Sequence, residues 1–134
     1  RALITQTIVQ KQNTFSGGVR LLRNPVTAIT SIKYRDMSNQ EQTVDAQLYK
    51  IAKNTEPAEV IPDHGKTWPI TTGEPENVEI TYTAGYGVAS AVPQAIKQAM
   101  LLIIGDWYEN RQDSKRTMPQ ASECLLNPYR IFVF

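Results

Sequence analysis

The chain has 134 residues and a formal net charge of +1, with 41% hydrophobic and 20% charged residues, the profile of one folded globular unit rather than a disordered segment. A near-neutral total lacks the basic excess of a dedicated nucleic-acid binder. One cysteine excludes an intrachain disulfide, one histidine excludes a His-rich metal cluster, and no apolar run reaches the ~18–20 residues that span a bilayer.

A single cysteine makes a reducing compartment the simpler reading. No basic stretch followed by an apolar core opens the chain. The first residue is Arg1 rather than methionine, which sets the expectation of a fragment or processed product with something missing in front.

The total charge conceals a division. Residues 1–55 hold eight Lys/Arg and three Asp/Glu, a balance of +5, and residues 56–134 hold six and ten, a balance of −4. Glu56, Glu59, Asp63, Glu74, Glu76 and Glu79 carry most of the acidic excess. Two readings stand side by side. Complementary halves meet between copies of the chain, or the charges are scattered over a solvated surface.

In chain order, residues 3–12 are rich in β-branched side chains and predict a strand. Ser16-Gly17-Gly18 predicts a turn, and Val19–Leu22 a short strand stopped by Asn24-Pro25. Ala28–Tyr34 alternates Ile32 and Tyr34 with Ser31 and Lys33, the pattern of a half-buried strand. Asp36 to Asn39 is turn chemistry, because Asp, Ser and Asn side chains bond the local backbone. Thr43–Val44, Leu48–Ala52 and Glu59–Ile61 are shorter strand candidates in a region that turns into a Pro- and Gly-rich loop up to Pro75. Val78–Thr83 alternates Val78, Ile80 and Tyr82 with Glu79, Thr81 and Thr83, the clearest strand in the chain.

The pattern changes at Ala84-Gly85-Tyr86-Gly87. Pro93 sits where a first helical turn accepts proline, and a helix is predicted from there to about Asn110. Ile96, Met100, Ile103 and Trp107 share one face, and Leu101, Ile104 and Tyr108 form a second beside it. A helix apolar over most of its girth needs cover on both sides. The sheet is expected to supply one cover, and a missing N-terminal segment or a neighbouring subunit the other. A short helix, Gln120–Leu126, is predicted before Asn127-Pro128. The reading is α+β: a mostly antiparallel β subdomain over residues 1–90, then a helical part over 91–134 with a long apolar helix, a short C-terminal helix and an extended tail.

Little in the chain points to chemistry. Asp63-His64 is an acid–imidazole neighbour pair in a Pro/Gly loop, where adjacent residues seldom orient each other as base and support. Cys124 lies far in sequence from the histidine that would activate it, and reads as a small core or interface residue. Gly85-Tyr86-Gly87 precedes a helix but has no third glycine at dinucleotide spacing and no Gly-Lys-Ser/Thr, so it reads as a sharp turn. Trp68 and Tyr82 are either sugar-stacking platforms or core. The apolar end Ile131-Phe132-Val133-Phe134 either folds back on the core or docks on a partner. No catalytic constellation stands out and no cofactor or metal is expected.

Several stretches taken together resemble one family. They are Arg1-Ala-Leu-Ile-Thr-Gln-Thr, Asn24-Pro-Val-Thr-Ala-Ile-Thr-Ser-Ile-Lys-Tyr-Arg-Asp, Trp68-Pro, Val78-Glu-Ile-Thr-Tyr-Thr-Ala-Gly-Tyr-Gly, Val92-Pro-Gln-Ala-Ile-Lys-Gln-Ala, Trp107-Tyr-Glu-Asn-Arg and Leu125-Leu-Asn-Pro-Tyr-Arg. In that order and spacing the chain resembles the head–tail connector (adaptor, head-completion) proteins of tailed bacteriophages and prophages. Members usually carry N-terminal helices before the Arg-Ala-Leu-Ile-Thr stretch, and often a glycine where this chain reads Met37-Ser38-Asn39.

The resemblance implies a non-enzymatic virion protein in the neck between head and tail, present in the host cytoplasm during assembly. It implies a homo-oligomeric ring, usually twelve-fold, below the portal protein. That ring would extend the channel for double-stranded DNA without sequence specificity and dock a downstream neck or tail protein such as a stopper or tail terminator. A near-neutral charge suits a conduit that must release its genome. The portal-docking tail would be Asn127, Pro128, Tyr129, Arg130, Ile131, Phe132, Val133 and Phe134. Ile96, Met100, Leu101, Ile104, Trp107 and Tyr108 would form the subunit-interface helix, and Glu74, Glu76 and Glu79 the interface charges, since a ring needs two different surfaces to meet. The rival readings are another phage neck or tail-completion component, a β-rich carbohydrate-binding module through Trp68 and Tyr82, and a hydrolase using Asp63, His64 or Cys124.

Overall fold

The computed structural model describes residues 1–110 and 118–131. Its strands are β1 (Gln6–Gln12), β2 (Val19–Arg20), β3 (Val26–Arg35), β4 (Glu41–Thr43), β5 (Tyr49–Ala52), β6 (Glu59–Pro62) and β7 (Val78–Ala84), followed by helices α1 (Gln94–Glu109) and α2 (Gln120–Leu126). One sheet has the order β1-β7-β3-β4 and the other β2-β6-β5. Every pairing is antiparallel. The fold is therefore α+β with antiparallel sheets, as the alternating segments predict.

The strict alternation in β7 is the reason it sits at the centre. Val78, Ile80, Tyr82 and Ala84 are fully buried, while Glu79, Thr81 and Thr83 face the other way half-exposed. Ile8 of β1 lies opposite Tyr82, and Ile32 of β3 lies opposite Ile80. These inner faces meet Val19 of β2, Leu21 and Val60 of β6 in one core between the two sheets. Each buried aliphatic or aromatic side chain there contributes roughly 1.5–3 kcal/mol over its exposed state. Phe15 and Trp68 stack at 4.6 Å with a 6° interplanar angle, and both pack against that core.

Polar side chains close the edges. The Gln10 amide donates to the Arg20 carbonyl (2.9 Å) and accepts from Leu22 N–H (3.0 Å), so one side chain bridges β1 to the strand-like backbone after β2. The buried Asn24 amide donates to the Leu21 carbonyl (3.3 Å) and accepts from Ala58 N–H (3.1 Å). At the β3–β4 turn the Asp36 carboxylate accepts from Ser38 N–H (2.9 Å) and Gln40 N–H (3.0 Å). Asn39 takes the left-handed conformation (φ 59°), which asparagine adopts more readily than most side chains.

Two expectations are corrected. The first strand begins at Gln6 rather than residue 3, because Ala2 N–H bonds Asn24 (2.8 Å) and Thr5 N–H bonds Gly87 (2.9 Å) outside any ladder. Val19–Leu22 shortens to Val19–Arg20. The helix expected from Pro93 to about Asn110 is α1, with 16 residues, about 24 Å at 1.5 Å per residue.

Candidate functional site

The Gly85-Tyr86-Gly87 turn sets where the helices go. Gly85 has φ +136°, and a Cβ there would lie 2.5 Å from the backbone of Ile4 and Thr5. The N-terminal segment thus crosses the turn at a distance only glycine permits. The turn is no phosphate cradle: Gly85 N–H donates to the Pro25 carbonyl (2.8 Å) and Tyr86 N–H to that of Leu3 (3.3 Å).

From this turn α1 departs with α2 as its packing partner. Ile96 and Ala99 are buried, at 4% and 0% exposure. Ser122 is small enough to bury against α1 and places its Oγ 3.4 Å from the Ala99 carbonyl. Ile103 is half-buried, and a row of apolar side chains of α1 is open: Leu101 is 60% exposed, Ile104 57%, Trp107 55% and Tyr108 70%. Met100 is open to a lesser degree. The expected cover by the sheet is corrected here. Helix packs on helix, and no α1 residue joins the sandwich core. The chain reaches α1 through the Gly85–Pro93 connection, which holds a 3-10 turn at Ala89–Ala91. Beside α1 runs an apolar groove of about 450 Å³ lined by Leu3, Ile96, Met100, Met118, Leu126 and Tyr129.

Of the eight tail positions, Asn127–Tyr129 form a 3-10 turn after α2. Arg130 reaches back to Glu123 at 3.6 Å. The Tyr129 carbonyl accepts from Arg1 Nε, and the Arg1 guanidinium lies 5.9 Å from the Tyr129 ring centre. Ile131 is half-buried. Phe132, Val133 and Phe134 lie outside the described residues.

The division of charge along the sequence largely cancels within the fold. Arg1 pairs with Glu56, Lys11 with Glu76 at 3.0 Å, Arg20 with Glu59 at 2.9 Å and Lys50 with Asp63 at 3.3 Å, while Lys33 pairs with Glu41 at 2.9 Å inside the basic stretch. Glu79 of the central strand faces Lys11 on one neighbour and Lys33 on the other. The hydrogen bond to Glu76 holds the Lys11 ammonium above its ordinary pKa, and that to Glu41 does the same for Lys33. Of the expected interface charges, Glu74 and Glu76 are exposed and Glu79 is half-exposed.

The side chains considered for chemistry are scattered. Asp63 is held below the ordinary carboxylate range first by the His64 N–H and then by Lys50, so it is paired to its own surroundings. Cys124 is exposed rather than core. Tyr82 is 0% exposed, and burial raises its phenol pKa, so Tyr82 cannot stack a sugar. Trp68 is spent on Phe15 and Tyr49. Among the described residues no group of three or more His, Cys, Asp or Glu could hold a metal, and no helix is long and apolar enough to cross a membrane.

Sequence reasoning missed Arg1. Its partners Glu56, Tyr86 and Tyr129 lie 55, 85 and 128 residues away, so no local pattern announces it. Ser122 carried a signal in principle, a small residue within an amphipathic segment.

No family model and no curated protein matches the chain. Solved structures do. The chain is similar to a chain in the neck of a native gene transfer agent particle computed with C12 symmetry, with 27% identity and a TM-score of 0.78 over 99% of this chain and 73% of that one. It is similar to a chain in the neck of the empty particle computed with C6 symmetry, at 26% identity and a TM-score of 0.77, covering 98% and 68%. A third match, in the virion of the native particle, has 28% identity and a TM-score of 0.74, covering 99% and 69%.

Proposed function

We propose that this chain is a structural, non-enzymatic neck protein of a phage-like particle. In this reading it is an adaptor whose copies form a ring below the portal, extending the DNA channel and joining head to tail. The observation that carries the reading is the likeness along 98–99% of the chain to chains of particle necks computed with C12 and C6 symmetry. Twelve copies are the proposed number. Residence in the virion neck follows from the same likeness.

The exposed face of α1 suits the contact between copies. Leu101, Ile104, Trp107 and Tyr108 present apolar surface that is costly to leave in water. Met100 adds to it, and Ile96 acts from below as packing for α1 rather than as a contact. Glu74, Glu76 and Glu79 are proposed to flank a neighbouring copy, with Glu76 and Glu79 already steadied by Lys11 and Lys33. Asn127–Phe134 is the proposed portal-docking segment, leaving α2 through the 3-10 turn that Arg1 holds.

Native mass spectrometry of the full chain, alone and with its portal, tests the reading. Wild type should give one closed ring species. Leu101→Asp with Ile104→Asp should give folded monomers with unchanged circular dichroism, since both side chains are exposed. Deleting Ile131–Phe134 should spare folding and abolish portal binding. Wild-type monomers that persist with the portal present would defeat the proposal.

A further inference from the structure

Among the described residues the main packing is strand on strand and helix on helix. The molecule therefore has two lobes with separate cores. The sandwich core contains no residue of α1 or α2, whereas Ile96, Ala99 and Ser122 are buried in the helical pair. The connection from Gly85 to Pro93 holds two glycines at positive φ and a 3-10 turn at Ala89–Ala91. Short stretches between elements are where backbone rotation is absorbed when packed bodies move.

One side chain spans the two lobes. Arg1 donates to both carboxylate oxygens of Glu56, with Nη1–Oε1 at 3.0 Å. Its Nη1 also lies 3.4 Å from the Tyr86 hydroxyl, and its Nε donates to the Tyr129 carbonyl. Glu56 belongs to the loop between β5 and β6, Tyr86 to the inter-lobe connection and Tyr129 to the turn after α2. The Arg1 side chain is 13% exposed while that of Glu56 is 47% exposed. A planar guanidinium carries five N–H donors in a fixed fork, so Nη1 and Nη2 hold the Glu56 carboxylate while Nε reaches Tyr129, whereas a lysine ammonium gathers three donors on one atom and has no such fork. Arg1 and Tyr129 also stand on the wall of the apolar groove beside α1.

We propose that Arg1 is a latch holding the helical lobe closed on the sandwich, with Glu56 as its catch. Releasing it frees the helical lobe to swing about residues 85–93 and widens the groove that Arg1 and Tyr129 line. The latch depends on no reading of what the chain assembles with, because both its parts lie in one polypeptide. Its effect is on the direction in which α1 and the C-terminal turn present themselves.

Hydrogen exchange followed by mass spectrometry on the full chain tests the latch in Glu56→Gln and Arg1→Lys. Peptides covering 94–109 and 120–130 should exchange several-fold faster than in wild type, while those covering 78–84 keep their protection. Glu41→Gln, which breaks the exposed pair with Lys33, is the control and should leave the helical peptides unchanged. Unchanged helical peptides in both latch variants would overturn the proposal. So would equal acceleration of strands and helices, which is the mark of one cooperative unit. Helical acceleration of the same size in Glu41→Gln would overturn it too.

Discussion

Two glycine-to-alanine changes, made separately, probe whether the chain crossing at Gly85 sets the place of the helices. At Gly85 the added Cβ would sit 2.5 Å from Ile4 C, Ile4 O and Thr5 N, and the backbone φ is +136°. All three contacts are backbone atoms, so none can swing aside as a side-chain tip would. Relief requires the Ile4–Thr5 segment to move by about 1 Å, which breaks or stretches the Thr5 N–H bond to the Gly87 carbonyl (2.9 Å). Overpacking of this kind costs about 1–3 kcal/mol, and an L-residue at such a φ adds about 1–3 kcal/mol. Gly85→Ala should therefore destabilise by roughly 2–6 kcal/mol, which at a urea slope of about 1.5 kcal/mol per M moves the midpoint down by about 1–4 M. Gly105 is the contrast. It lies within α1 with no heavy atom within 4 Å of an added Cβ, so Gly105→Ala should stabilise by about 0.5–1 kcal/mol through helix propensity alone. The assay is equilibrium urea denaturation read by circular dichroism. A loss below about 1 kcal/mol in Gly85→Ala would refute the crossing, and with it the placement of α1 relative to the sandwich.

Asn24→Ala should cost about 2–4 kcal/mol in the same assay, because it leaves the Ala58 N–H and the Leu21 carbonyl without their partner at a buried site. Gln10 and the Tyr82 hydroxyl share one network, with Tyr82 Oη accepting from Arg23 N–H at 3.1 Å and lying 3.4 Å from Gln10 Oε1. A double-mutant cycle of Gln10→Ala and Tyr82→Phe should therefore show coupling of about 0.5–1 kcal/mol, and strict additivity would show the two act apart. Three carboxylates have folded pKa values below their ordinary ones: Asp36 through Gln40 N–H and Gln42, Glu41 through Lys33, and Asp63 through His64 N–H and Lys50. A depressed folded pKa gives stability that is complete above the ordinary value and lost as pH falls through the folded one. Urea midpoints should accordingly hold steady down to about pH 5 and fall below it, with a smaller fall in Asp36→Asn, whereas a midpoint that rises on acidification would reverse the sign of the argument.

The parts of this fold legible in the sequence are those written by local periodicity. β7 could be read directly because Val78, Ile80 and Tyr82 all face one buried side. The α1 segment announced itself as an apolar helix, and Pro119 and Asn127-Pro128 bracketed α2 closely. What periodicity could not supply is pairing at a distance. β1 lies beside β7, some 70 residues on. That pairing brings Lys11 to Glu79 and Glu76, which turns a charge division along the chain into ion pairs across the sheet. The cover of α1 failed for the same reason, since the crossing of Ile4 over Gly85, not the pattern of α1, decides where that helix packs. For the candidate surfaces, the exposed row Leu101, Ile104, Trp107 and Tyr108 was visible as an excess of apolar residues. The Arg1 bridge, assembled from four separated segments, was not.

The central claim is that this chain builds a neck ring through the exposed face of α1. Electron cryomicroscopy of the particle that carries it, with the neck reconstructed without imposed symmetry, tests this most directly. Twelve copies of the sandwich are expected in a ring at the neck, with Leu101 and Ile104 of each copy buried against the next. Density placing the chain outside the neck, or a neck ring in which the α1 face stays open to solvent, would contradict it.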